Sequence, residues 1–381
     1  MAWMQNQLYV KKKNTLMVLD LISQAQTVSR TQLSDITELS PASITRIVGT
    51  LIGLNLVREE GTVDIMRRGR KARILRLCSD GLYAAGICIE PGRLLLCLTD
   101  FHQKCLYRTG MSLDLGVPRT PEMLAAHARK LYDSIDRSLI ADWSRVRIAG
   151  VSIPGVVDSE RGIVLKSDQM HWTNLDLRTP FEDALGLPVW IENDAKACLM
   201  GERVRMNIPK HQDTVYVLVG TGVGVAVFSN GKLIRGHKNM AGEIEHLNLM
   251  PGILPADVLQ AHLIEEGILQ NARNASPSVQ TLEDLMIAYR QNAGFARILV
   301  EDVTQYLRLV LSMIDSFYDP ERIILGGTII RKLQGALSSL FQDPRLSVGE
   351  DYEEACMLGA SIGAVHCALD RLLGEQENAR S

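Results

Sequence analysis

From residue 82 onward, short runs of apolar and β-branched residues alternate with stretches of helical periodicity. That alternation restricts the body of the chain to the α/β class. Residues 84–89, 93–98, 147–153, 187–191, 214–219, 223–228 and 322–325 read as strands. Residues 122–139, 195–205, 297–318 and 352–373 read as helices, the last with Gly359, Ala360, Gly363 and Ala364 along one side. At roughly 100–200 residues per domain, a chain of 381 residues divides into two or three units. No membrane span is expected. The uncharged stretch 214–231 is 18 residues long, but four glycines and Ser229-Asn230 break it into strand, loop and strand.

The first eighty residues follow a different pattern. They hold 12 Lys and Arg against 7 Asp and Glu, a charge of +5, whereas residues 81–381 hold 29 against 37, a charge of −8. A basic head on an acidic body points to an anionic partner at one end. Leu16, Leu19 and Ile22 mark a helix over 13–24. Ser29 and Gln32 form a capping box that opens a second helix. Ser40-Pro41 then supplies an N-cap followed by proline in the first turn of a third, over 42–54, with Ile44, Ile47, Val48 and Leu51 as its apolar stripe. Three short helices with a tight turn before the last are the helix-turn-helix plan. Ser43, Thr45 and Arg46 lie away from the stripe near the start of the recognition helix, where side chains reach base edges.

Two β runs, 56–62 and 74–77, then flank Arg67-Arg68-Gly69-Arg70-Lys71. They read as a winged hairpin, with Arg67, Arg68, Arg70 and Lys71 suited to phosphates and a narrow minor groove. The competing reading is a small helical dimerisation module with a solvated charge run. The N-terminal Lys11-Lys12-Lys13 is not followed by an apolar core and cleavage site, so no signal peptide is expected. Seven cysteines (78, 88, 97, 105, 198, 356, 367) form no CxC or CxxC pair and read as reduced thiols of a cytoplasmic protein.

Chemistry in such folds sits in loops at the carboxyl ends of strands. Asn193-Asp194 offers an amide and a carboxylate for two neighbouring hydroxyls, or a general base. Asp194 before Ala195 is equally an ordinary helix cap. Glu243 and His246, three apart, would share a face of one helical turn, as a ligand pair or as a satisfied surface pair. Gly220-Thr221-Gly222-Val223-Gly224 offers N–H groups to a phosphate, or a tight strand-to-strand turn.

In order and spacing these motifs resemble the ROK family of repressors and sugar kinases. The residues that carry the likeness are 150–158 (GVSIPGVVD), 172–177 (WTNLDL), 192–195 (ENDA), 220–224 (GTGVG), Gly242-Glu243, His246 and Ile324-Leu325-Gly326-Gly327. The resemblance implies an actin-like (hexokinase-like, ribonuclease H-like) two-lobed α/β body behind an N-terminal winged helix-turn-helix, the arrangement of the family's repressor branch. The implied division is a DNA-binding head over 1–80, a first lobe over 81–195 joined by the C-terminal helix 352–373, and a second lobe over 196–351 with the ligand cleft and dimerisation surface. It also implies that Asn193, Asp194, Glu243 and His246 hold sugar hydroxyls.

Three departures from the family pattern bear on activity. The kinases' Asp-x-Gly-Gly-Thr phosphate loop is replaced here by residues 88–92, Cys-Ile-Glu-Pro-Gly. Proline has no N–H to give and Glu90 repels phosphate, so phosphoryl transfer is not expected and no catalytic residue is assigned. The family's zinc-binding cysteine run after the histidine is here 250–255, Met-Pro-Gly-Ile-Leu-Pro, so neither metal nor cofactor is expected. A further sugar-binding Glu of the family falls at Pro255, and the glycine before the histidine is Glu245.

The expectation is therefore a cytoplasmic transcriptional regulator of carbohydrate genes, a repressor rather than an enzyme. Its partners would be an operator in double-stranded DNA, a sugar or sugar derivative, and a second copy of itself in a dimer or tetramer. The alternatives are a ligand-independent regulator with a vestigial pocket and a sugar kinase with an appended DNA-binding head.

Overall fold

The computed structural model describes residues 2–25, 27–64, 71–114, 116–245, 247 and 259–378. The N-terminal part consists of α1 (Ala2–Gln24), β1 (Val28–Ser29), α2 (Arg30–Thr37), α3 (Pro41–Gly53), β2 (Val57–Asp64) and β3 (Lys71–Leu77). Helix α1 begins well before residue 13, because nothing in 2–24 is a proline or glycine that would stop it. The capping box forms: Ser29 accepts from the Gln32 amide, and the Gln32 side chain accepts from the Ser29 N–H at 2.9 Å. Ser40 caps α3 with Pro41 in its first turn, and Ile44, Ile47, Val48 and Leu51 are all buried. They pack with Val18, Leu19 and Ile22 of α1 and Leu33 of α2. Strands β2 and β3 pair antiparallel and β1 joins β3 at its other edge. This is a winged helix-turn-helix.

The body opens with β4 (Tyr83–Glu90), β5 (Arg93–Thr99), β6 (Cys105–Ser112) and α4 (Pro121–Asp133). It continues with β7 (Val146–Ile153), β8 (Val156–Asp158), β9 (Ile163–Ser167), β10 (Trp172–Asp176), α5 (Arg178–Leu185) and β11 (Val189–Asn193). Helix α4 is shorter than its periodicity suggested. Beyond it, Asp136 accepts from the Ser138 N–H and turns residues 137–139 into a separate 3₁₀ segment. The main sheet runs β11-β7-β4-β5-β6, while β8, β9 and β10 form a small antiparallel sheet.

The chain then passes through α6 (Asp194–Arg205) into β12 (Thr214–Val219), β13 (Val223–Ser229) and β14 (Lys232–Leu233). Helices α7 (Gln260–Leu263), α8 (Glu265–Ala275), α9 (Leu282–Arg290) and α10 (Gly294–Tyr318) follow. The last elements are β15 (Arg322–Gly326), α11 (Thr328–Leu333), β16 (Leu346–Val348) and α12 (Tyr352–Asn378). The second sheet runs β14-β13-β12-β15-β16. Counted along the chain, both large sheets have the order third-second-first-fourth-fifth. In each, the second strand is antiparallel to the first and the fourth is parallel to it. This duplicated plan is the actin-like, hexokinase-like fold.

One face of the first sheet packs on α4 and α5 around Leu124, Phe181 and Ile191. Helix α12 returns from the second lobe to cover the other face beside α6. A Cβ at Gly86 or Gly150 would strike the carbonyl of Met357 or Ala360, and one at Gly359 would strike that of Ala197. The small residues along α12 therefore let backbone meet backbone. By length and composition α12 could cross a membrane, but it is mostly buried inside the protein. The head does not hang free: its core continues into Leu82, Ile148, Trp190 and the α12 residues Val365 and Leu369. Lys12 pairs with Asp370 at 2.9 Å and Lys210 with Asp20 at 2.6 Å across the same joint.

Candidate ligand cleft and DNA-facing helix

Strand β11 delivers Asn193 to the mouth of the first sheet, still in extended backbone. Its side-chain oxygen accepts from the Lys196 N–H at 3.0 Å, so Asn193 is the cap of α6. Asp194, expected as the alternative cap, is instead the first helical residue. Its Oδ1 accepts from Asn193 Nδ2 at 2.9 Å and from the Ala195 N–H at 2.8 Å. Asn193 Nδ2 also donates to the Gly155 carbonyl at 3.0 Å, tying in the end of β7. Asp194 is only 7% exposed. Burial pushes its carboxyl up to about 8, and the charges of nearby Glu243 and Glu245 act in the same direction.

Glu243 reaches this neighbourhood from a turn rather than a helix. Gly242 there has φ +89 and lies so close to β13 that a Cβ would strike the Val225 carbonyl. Glu243 is therefore not on a helix, and its expected partner His246 lies outside the described residues. The glycine loop is the β12–β13 turn, with the Gly220 N–H donating to Gly222 O at 3.0 Å. Gly222 leaves room for Gln169, whose Nε2 contacts Glu245 Oε2 at 3.4 Å from the first lobe. One more contact joins the lobes, Arg235 on the buried Glu192, and Lys196 Nζ on the Asn239 carbonyl at 3.2 Å ties α6 to the segment that carries Glu243. Sequence reasoning assigned no role to Glu192, Gln169 or Arg235; a carboxylate inside an apolar strand was the available signal for Glu192.

The segment in place of a phosphate loop is a two-residue turn, Pro91-Gly92, closed by pairing of Glu90 with Arg93. Cys88 is buried, and the neighbouring Ser152 Oγ lies 3.0 Å from Cys356 Sγ. Burial pushes the Glu90 carboxyl up to about 7, with Cys356 and Glu353 adding to it. Pro91 has no N–H to offer in this turn, and the flanking Arg93 is paired with Glu353. All seven cysteines are free thiols. Among the described residues no group of three His, Cys, Asp or Glu is placed to hold a metal.

On α3, Thr45 and Arg46 are exposed, and Arg46 makes no ion pair among the described residues. Ser43 is half-buried, with its Oγ 2.9 Å from Ser40 Oγ. Part of the head's positive charge is spent internally. Glu59 on β2 holds Arg30 and Arg73, each at 2.8 Å, and Glu60 holds Arg76 at 3.1 Å. The Arg73 hydrogen bond, helped by Arg30, keeps the Glu59 carboxyl below the usual range against its partial burial. Lys71 opens β3 opposite Asp64. Arg67, Arg68 and Arg70 lie outside the described residues.

The winged helix-turn-helix and the two-lobed body each match a known family model. The ROK family model matches residues 87–343 and a model of the IclR helix-turn-helix domain matches residues 13–61. The chain belongs to the ROK family. It is 25% identical to the xylose repressor of Bacillus spizizenii, over 94% of this chain and 93% of that one. The N-acetylglucosamine repressor of Escherichia coli is also 25% identical, over 84% and 81% respectively. Among solved structures, a ROK family transcriptional regulator homologous to the E. coli MLC protein superposes with a TM-score of 0.78 at 24% identity, covering 96% of this chain and 98% of that one. The ROK hexokinase from Thermus thermophilus shares the body fold, with a TM-score of 0.61 at 22% identity over 76% of this chain and all 100% of its own.

Proposed function

We propose that this ROK protein is a cytoplasmic DNA-binding repressor of carbohydrate-metabolism genes that responds to a sugar or sugar derivative. The observation that carries the reading is the joining of two sites in one chain. A winged helix-turn-helix with Thr45 and Arg46 exposed on α3 precedes a body in which Asn193 and Asp194 stand at the β11–α6 junction, near Glu243 and Glu245 of the second lobe. The head spans residues 1–80, the first lobe 81–195 with 352–373, and the second lobe 196–351. Ser43, Thr45, Arg46, Arg67, Arg68, Arg70 and Lys71 face DNA; Asn193, Asp194, Glu243 and His246 face the sugar. Xylose and N-acetylglucosamine, named in the relatives, are the first effectors to try.

The protein acts without catalysis, since Pro91 and Glu90 stand where phosphate would need donors. It works as a homodimer, because a two-fold protein matches a palindromic operator. Exposed Ile298, Leu309 and Phe317 on α10 support that pairing, and sedimentation of Phe317→Glu against the wild type tests it.

The deciding experiment measures operator binding with and without each sugar. Asp194→Ala should remove the sugar response and leave operator affinity within about threefold, and a variant that still responds normally overturns the ligand assignment. One observation favours a second reading, a regulator with a vestigial pocket. Glu245 puts an additional carboxylate beside Asp194, where the family has glycine. Calorimetry that detects no binding of any sugar would favour it.

A further inference from the structure

The strand that ends at the candidate sugar site also enters the core of the head. On β11, Val189 and Ile191 point into the first lobe's core, whereas Trp190 points to the opposite face of the sheet. There it belongs to one apolar cluster with Val18, Leu19 and Ile22 of α1 and with Ala364, Val365, Ala368 and Leu369 of α12. The indole is 9% exposed. Its six-membered ring rests on Gly363, where any side chain would collide with it. Trp190 stands four positions before Asp194, about 13 Å along the chain at most.

The surroundings make this corner stiff. Helix α12 lies directly on the backbone of β4, β7 and α6, because Gly86, Gly150, Gly201 and Gly359 remove the side chains that would separate them. Close-packed interiors shift between discrete arrangements instead of deforming smoothly. A displacement at the β11–α6 corner therefore reaches α1 through the indole and the end of α12, where Lys12 and Asp370 also pair.

We propose that Trp190 is the positioning residue that couples occupancy of the Asn193–Asp194 cleft to the placement of the DNA-binding head. This rests on the sugar-responsive reading above. The indole contacts neither ligand nor DNA. It fixes where α1 sits relative to β11, so a change at one end biases the other.

The test uses the full-length protein with Trp190→Phe, which keeps an aromatic ring but withdraws the part that reaches Gly363. Hydrogen exchange without sugar is the first readout. Exchange in α1 and the last turns of α12 should rise about tenfold in the variant, with α10 unchanged; no change in α1 overturns the head end of the proposal. The second readout is operator binding with D-xylose, D-glucose or N-acetyl-D-glucosamine, using whichever shifts the wild type. The variant should bind that sugar within threefold of wild type by calorimetry, yet lose most of the shift in operator affinity. A full shift in Trp190→Phe overturns the coupling. If no sugar shifts the wild type, the proposed function and the ligand end of the coupling both fail, while exchange still decides whether Trp190 braces the head. Gly363→Ala, which pushes on the indole from the other side, should reproduce the exchange result if the fold tolerates it.

Discussion

The Asn193 side-chain amide donates to the Asp194 carboxylate at 2.9 Å while the Asn193 oxygen caps α6 at 3.0 Å. One residue thus ends a strand, starts a helix and orients its neighbour. Only Oδ1 of Asp194 is engaged by these bonds, and burial keeps the group protonated up to about pH 8. A neutral carboxyl can donate to one sugar hydroxyl and accept from another without bringing a charge into the cleft.

Asp194 should give the protein a specific pH dependence. Its folded value of about 8 stands above the ordinary value of 3.8, so the folded state holds a proton that the unfolded chain releases. Its contribution is intact below about pH 4 and declines as pH rises toward about 8, after which it levels off. Relative to Asp194→Asn, the wild type should therefore lose melting temperature between pH 5 and pH 8. Parallel curves for the two proteins across that range would contradict the assignment.

Arg46 should read the operator. It is exposed near the start of α3 with no ion pair among the described residues to hold it elsewhere. If it grips one base edge in the major groove, Arg46→Ala costs about 1–3 kcal/mol on the operator and relaxes one base position. Fluorescence anisotropy on operator and random duplexes checks this. Equal loss on both would make Arg46 a phosphate contact.

The wing should contribute salt dependence rather than sequence preference. Each phosphate contact steepens the dependence of log K on log salt by about 0.9. Replacing Arg67, Arg68 and Arg70 by Gln should flatten that slope by about 2–3 per protomer. Titrations at several salt concentrations measure it, and an unchanged slope removes these arginines from the interface.

Gly150→Ala should be severely destabilising although it adds one methyl group. The new Cβ would occupy the position of the Ala360 carbonyl, and neither β7 nor α12 can retreat without opening the core. A loss of about 3 kcal/mol or more is expected from overpacking against backbone. Chemical denaturation measures it, and Gly335, with open space around it, is the control.

The head was the most legible part of the sequence. Ser29 with Gln32, and Ser40 with Pro41, specify helix starts through bonds made within four residues. The stripe from Ile44 to Leu51 is likewise a local pattern. The buried strands of both sheets showed for the same reason, as apolar runs. Strands β6 and β8 to β10 did not, because an edge strand or a short one has no such run to display. The break after α4 was hidden because Asp136 ends the helical path with a side-chain bond that periodicity does not register.

Sequence by itself determined the kind of chain: a basic helix-turn-helix head, an α/β body, and the Asn193-Asp194 pair at a strand end, all written in local spacing and charge. Tertiary structure decided how these parts meet. That Glu243 comes from a turn against β13 and that Trp190 joins the head's core to β11 both depend on contacts between distant segments. Burial and backbone approach at such contacts are set by the packing of whole elements, so no local stretch of sequence encodes them.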